Sequence, residues 1–146
     1  MTMKAKVKNI VAAYKLLGEA KVTKLEESEV IKIVKARKAM RPIADEFEAF
    51  LKDAQEKFKP ECWDDVQAKV QQWQQEGENT TLTDDEKRGV NTALVDYQNS
   101  INKAMNDELE REVEINIETL KEESATKLIT ENGWELKKLE EIEVVL

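Results

Sequence analysis

Few residues in this chain could do covalent chemistry. Cys62 is the one cysteine. It stands next to Trp63 and close to an expected helix start, the position from which a thiol nucleophile works best. Such a nucleophile needs a base, and the chain has no histidine. That removes His-dependent triads, the usual proton shuttle and the Glu-x-x-His pairs of di-iron bundles. Cys62 is therefore expected to be a partly buried structural residue. A lone cysteine also rules out an internal disulfide and suits a reducing compartment.

Carboxylates cluster at Asp84-Asp85-Glu86, from Glu108 to Glu114, and at Glu140-Glu141-Glu143. Paired carboxylates can hold a cation or exchange protons. None of these clusters has the Asp-x-Asp-x-Asp-Gly spacing of a calcium loop, and the first has a structural task, capping a helix. Zinc would have to be held by one thiolate and carboxylates. Gly18, Gly77, Gly89 and Gly133 are isolated, so no phosphate-cradling loop is present. The expectation is no catalytic residue, no cofactor and no metal.

Recognition is the remaining chemistry. Trp63, Val66, Val70 and Trp73 recur at i, i+3, i+7 and i+10, one face of a helix, and are the candidate partner-binding residues. The same spacing would equally serve a core. Lys32, Lys35, Arg37, Lys38 and Arg41 crowd another helix and could face a nucleic-acid duplex, but a net charge of −8 argues against that partner. The charge is uneven: residues 1–60 carry a net +5 and residues 61–146 a net −13. An acidic half can mimic nucleic acid. Because charged and apolar residues are interspersed in both halves, the halves are expected to pack together and partly neutralise.

These residues must be positioned by long elements, since only 4 Gly and 2 Pro interrupt the 146 residues. That length fits one domain, 1–146, with a core that needs no staples. Asn9 and Gly18 bracket a short first helix. An apolar stripe including Val30, Ile33, Val34, Met40, Ala44, Phe47 and Ala54 predicts a long helix over about residues 25–58, opened by a Thr23/Glu26 capping box and kinked near Pro42. A shorter helix carries Trp63 and Trp73 and stops at Gly77. Thr83 and Glu86 form the clearest capping box, starting a second long stripe through Val90, Leu94, Tyr97, Ile101 and Met105 to about residue 109. The two long helices are expected to run antiparallel. Two short helices should close the chain, one ended by Asn132-Gly133, the other with its last residues frayed or extended.

One segment breaks the helical rhythm. In "EREVEINIE", Val113, Ile115 and Ile117 alternate with polar residues, which predicts a strand over 111–118. A lone strand leaves its backbone groups unsatisfied, so it needs a partner. Lys4 to Lys8 alternates and sets lysine opposite glutamate; Glu19 to Leu25, "EAKVTKL", is the other candidate. The fold class expected is mainly α with a minor β element, a two- or three-stranded sheet at one end.

No apolar run approaches the roughly 20 residues needed to span a bilayer. The basic start and short apolar stretch of residues 1–20 are broken by Tyr14, Lys15 and Glu19, unlike a secretory leader. A cytoplasmic location, in the host cell or with a virion, is the expectation.

The ordering "NIVAAYKLLGEAKVTKLEESEVIKIVKARKAM", "RPIADEFEAFLKDAQEK" and "ELEREVEINIETL" resembles a family of small tailed-phage and prophage proteins of unknown function. The likeness lies in the short first helix, the Leu-Gly-x-Ala-Lys connector, the long charged helix and the late Glu-Val-x-Ile strand. The "ECWDDVQAKVQQWQQEG" region matches least. The resemblance carries no catalytic residues. It favours Glu19 to Leu25 as the partner strand and implies a phage setting. Three functions follow as expectations. The first is a non-enzymatic protein-binding module in virion assembly or as an accessory factor, with an oligomer possible. The second is an acidic inhibitor of a host defence or nucleic-acid enzyme. The third is an enzyme limited to Asp, Glu, Lys and Tyr.

Overall fold

A computed structural model describes residues 2–146. Its elements are β1 (Thr2–Lys6), α1 (Val7–Glu19), α2 (Glu27–Lys57), α3 (Trp63–Glu76), α4 (Asp84–Glu110), β2 (Glu112–Asn116), α5 (Glu122–Asn132) and α6 (Leu136–Glu141). Short 3-10 turns follow α3 (Gly77–Asn79) and α6 (Glu143–Val145). The described chain is 74% helical with one small antiparallel sheet, so the fold is mainly α with a minor β element. Helix α2 continues through Pro42. The chain divides into two compact units, one of Met1–Ala49 with Asp107–Leu146, the other of Phe50–Asn106.

In the first unit the alternating strand finds its partner at the start of the chain. β1 and β2 pair antiparallel, with Lys4 opposite Glu114 and Lys6 opposite Glu112, and with Met3 opposite Ile115 and Ala5 opposite Val113. One sheet face is thus charge-matched while the other supplies Ala5 and Ile115 to the core. The Val7 N–H donates to the Arg111 carbonyl at 2.9 Å, extending the ladder by one bond. Lys6 and Lys8 both reach the Glu110 carboxylate, at 2.7 and 2.8 Å.

The alternative partner, residues 19–25, is not a strand. Part of its backbone is satisfied by side chains of α5 instead, and part by turns of its own. The Lys21 N–H donates to Asn132 Oδ1 at 2.7 Å, and Asn132 Nδ2 donates back to the Lys21 carbonyl at 2.8 Å. The Thr23 hydroxyl donates to Glu131, so Thr23 is not half of a capping box for α2. The first helix also differs from expectation. It begins at Val7, not after Asn9, and runs past Gly18 to Glu19, because β1 hands the chain directly to it.

The core of this unit draws Ile10, Leu17, Ile33, Met40, Leu128 and Ile142, among others, from different elements. The final residues are anything but frayed. Ile142 and Val145 are buried, and the Leu120 N–H donates to the Val145 carbonyl at 2.9 Å. Glu29 is buried in the same unit. Its carboxylate accepts the Lys121 N–H at 3.1 Å, at the amino end of α5, where negative charge is favoured. Lys32 Nζ lies 2.9 Å from the other carboxylate oxygen, close enough for an ion pair though poorly directed for a hydrogen bond. Burial pushes this carboxyl up, but Lys32, the Lys121 N–H and Ser124 outweigh it and hold it below its ordinary value.

The second unit is simpler. The Thr83/Glu86 capping box forms as expected, with the Glu86 N–H donating to the Thr83 hydroxyl at 3.1 Å and the Thr83 N–H donating to the Glu86 carboxylate at 3.2 Å. Among the described residues, its buried apolar side chains are Ala54, Val66, Leu82 and Val90. Gly77 takes a positive φ of 59° at the end of α3, a conformation that suits glycine.

Candidate docking groove

The four residues singled out as a partner-binding stripe lie on α3, as their spacing predicts. Val66 is buried, and Trp63 stacks against Tyr97 of α4 with ring centroids 4.4 Å apart and planes tilted 40°. Val70 and Trp73 are half-buried and line a shallow cavity of about 260 Å³ with Val90 and Leu94. Lys87 Nζ sits 5.5 Å from the centre of the Trp73 ring. The stripe therefore uses much of its apolar surface within its own unit. Cys62, expected to be partly buried, is exposed, because the residues around it form a turn ahead of α3.

Another cavity, larger than the one beside Trp73, is in the first unit. It is an open groove of about 480 Å³ between the end of α1, the following turn and three turns of α2. Leu17, Val22, Val30, Ile33 and Val34 give it an apolar floor, and Arg37, Lys38 and Arg41 line its other end. Val34, expected within the core stripe of α2, is instead 60% exposed. The buried phase of that helix runs through Ile33, Ala36, Met40, Ala44 and Phe47. Val34 and Ile31, itself 45% exposed, both fall outside it, toward the opposite face of the helix.

Arg37 joins the two walls. Its guanidinium carbon lies 4.3 Å from the centre of the Tyr14 ring, and Nε donates to the Tyr14 carbonyl at 3.4 Å. Gly18 makes room for it: a Cβ there would stand 2.8 Å from Arg37 Nη2. Arg41 has a distant, exposed pairing with Asp45 at 3.8 Å. Among the described residues, Arg37 and Lys38 have no carboxylate within ion-pair distance, and no acidic side chain lines the groove. The sequence had placed these cations together on one helix. It gave no sign that Tyr14 and Leu17 of α1 would lie alongside them, because that neighbourhood is tertiary.

Among the described residues, no group of three or more Cys, Asp or Glu side chains is placed to share a metal ion, and no helix is long and apolar enough to cross a membrane. Searches against protein-family models, curated proteins and solved structures find no match.

Proposed function

We propose that this chain is a non-enzymatic protein-binding module, and that the groove between α1 and α2 is its docking surface. The observation that carries this reading is an apolar channel, open to solvent and bordered only by positive charge, with Val34 exposed at its floor. Apolar surface left uncovered beside orienting charges is characteristic of recognition sites. The resemblance to phage and prophage proteins supports a phage setting, as an assembly or accessory factor. An acidic inhibitor has less to rest on: Glu110 and Glu118 have lysine partners, and Glu112 and Glu114 face lysines across the sheet.

The test is co-purification from phage-infected or prophage-induced cells. A partner should be recovered with the wild-type chain and with Lys103→Glu, a change on the exposed face of α4, and be lost with Val34→Asp. A chain that recovers no partner, or whose partner ignores Val34→Asp, overturns the reading.

A further inference from the structure

The shape and charge of the groove define its occupant further, given that it is a docking surface. Along α2 its lining residues run from Val30 to Arg41, about 16 Å at the rise of an α-helix. The apolar and basic parts are not mixed along that length. Val30, Ile33 and Val34 form one end, with Leu17 and Val22 facing them; Arg37, Lys38 and Arg41 form the other. The α2 and α1 walls are helices whose backbone bonds are already made internally, so they offer an extended peptide no ladder to join. A segment that brings its own backbone bonds, a helix of about three turns, suits such a channel. Some lysines of this unit meet carboxylates, as Lys6 and Lys8 hold Glu110 and Lys32 holds Glu29, while others, such as Lys15 and Lys35, are in no ion pair among the described residues. Lys38 has no such partner among the described residues, and none is supplied by the groove.

We propose that the groove binds an acidic amphipathic helix of a partner protein, with apolar anchors at one end and a pair of carboxylates about two turns away. The anchors cover Ile33 and Val34, and the carboxylates meet Lys38 and Arg41. Burial of the anchors supplies affinity, and the charge pairing sets orientation and speeds encounter.

The test is a fluorescence-anisotropy titration of the full chain with labelled helical peptides. One peptide carries two leucines a turn apart and two glutamates about two turns beyond them. A second has lysines for the glutamates, and a third keeps the composition but moves the glutamates to the opposite face. The first should bind at least about tenfold more tightly than the others, and weaken as salt is raised. Lys38→Glu and Arg41→Glu, both at exposed positions, should each reduce its binding severalfold and favour the lysine peptide, with unchanged circular dichroism. Equal binding of all three peptides, or no binding, overturns the proposal. So does tight binding of dodecanoate with no peptide bound, which would assign the groove to a small amphiphilic anion. If a co-purified partner depends on Val34 while the acidic peptide fails, docking at the groove stands and the acidic occupant falls.

Discussion

The two units use the same device, an apolar stripe at helical spacing, with different results. In the first unit α2 is covered from several sides by α1, β2, α5 and the final turn, so Ile33, Ala36 and Met40 are sealed. In the second, the stripe of α4 stays half-buried at Leu94, Tyr97, Ile101 and Met105, with Val90 its one buried residue. Periodicity fixes which face of a helix turns inward. How deeply that face is buried depends on how many other elements converge on it, and only the first unit gathers strands, helices and a terminal turn around one centre.

This difference can be broken by the same substitution made once in each unit. Leu128→Ala opens a cavity at a fully buried position surrounded by rigid neighbours and should cost about 4 kcal/mol in a denaturant titration. Leu82→Ala, in the thinner core, leaves surroundings that can collapse and should cost about 2 kcal/mol. Equal losses would erase the distinction. Amide exchange should agree, with slower exchange in the first unit's buried elements than in α3.

A second test concerns charge inside the better-packed unit. Glu29→Ala leaves Lys32 without its buried partner and the Lys121 N–H without its acceptor, and should cost about 3 kcal/mol at neutral pH. Because the folded carboxyl lies below its ordinary value of 4.5, its contribution is complete above that pH and is lost as pH falls through the folded value. The gap between wild type and variant should therefore narrow in acid. A gap that is constant with pH would reduce Glu29 to a space-filling role.

The smallest effect is expected at the surface. Hydrogen bonds from Lys6 and then Lys8 pull the exposed Glu110 carboxyl down to about 2. Glu110→Gln should lower stability slightly above pH 4.5, with the difference fading as pH approaches 2. High salt should remove it at any pH. A loss that persists in high salt would mean that the amide disturbs packing at the sheet, not only charge.

Some features made by neighbours in sequence were legible, as the Thr83/Glu86 box and the ends of α4 illustrate, while the Thr23/Glu26 box and the Asn9 and Gly18 limits of α1 gave way to tertiary partners. One long-range feature was partly legible too. The alternation of Lys4 and Lys6, set against Glu112 and Glu114, made the start of the chain one of two open candidates for the partner of β2, and the structure selects it, although the family resemblance favoured the other. The wrong choice has a physical cause. Residues 19–25 do need hydrogen-bond partners, and Asn132 and Glu131 supply them from side chains, which a backbone pattern cannot announce. Glu29 was equally hidden, since a glutamate among charged helix residues reads as solvated. The groove was half visible: its cations stood out on α2, while its floor depended on Val34 lying just outside the buried phase.

The first unit is assembled from the two ends of the described chain. Residues 107–146 must be present before β1 can pair or Ile142 and Val145 can seal the core. On the ribosome, the walls of the groove are made early but stand on nothing until the last turn emerges, while Phe50–Asn106 can collapse first. A nascent chain stalled short of Leu120 should accordingly be cut readily by protease within α1, and become resistant there only once residues 107–146 have emerged. Binding at the groove would then report an assembled first unit and ignore one that lacks residues 107–146.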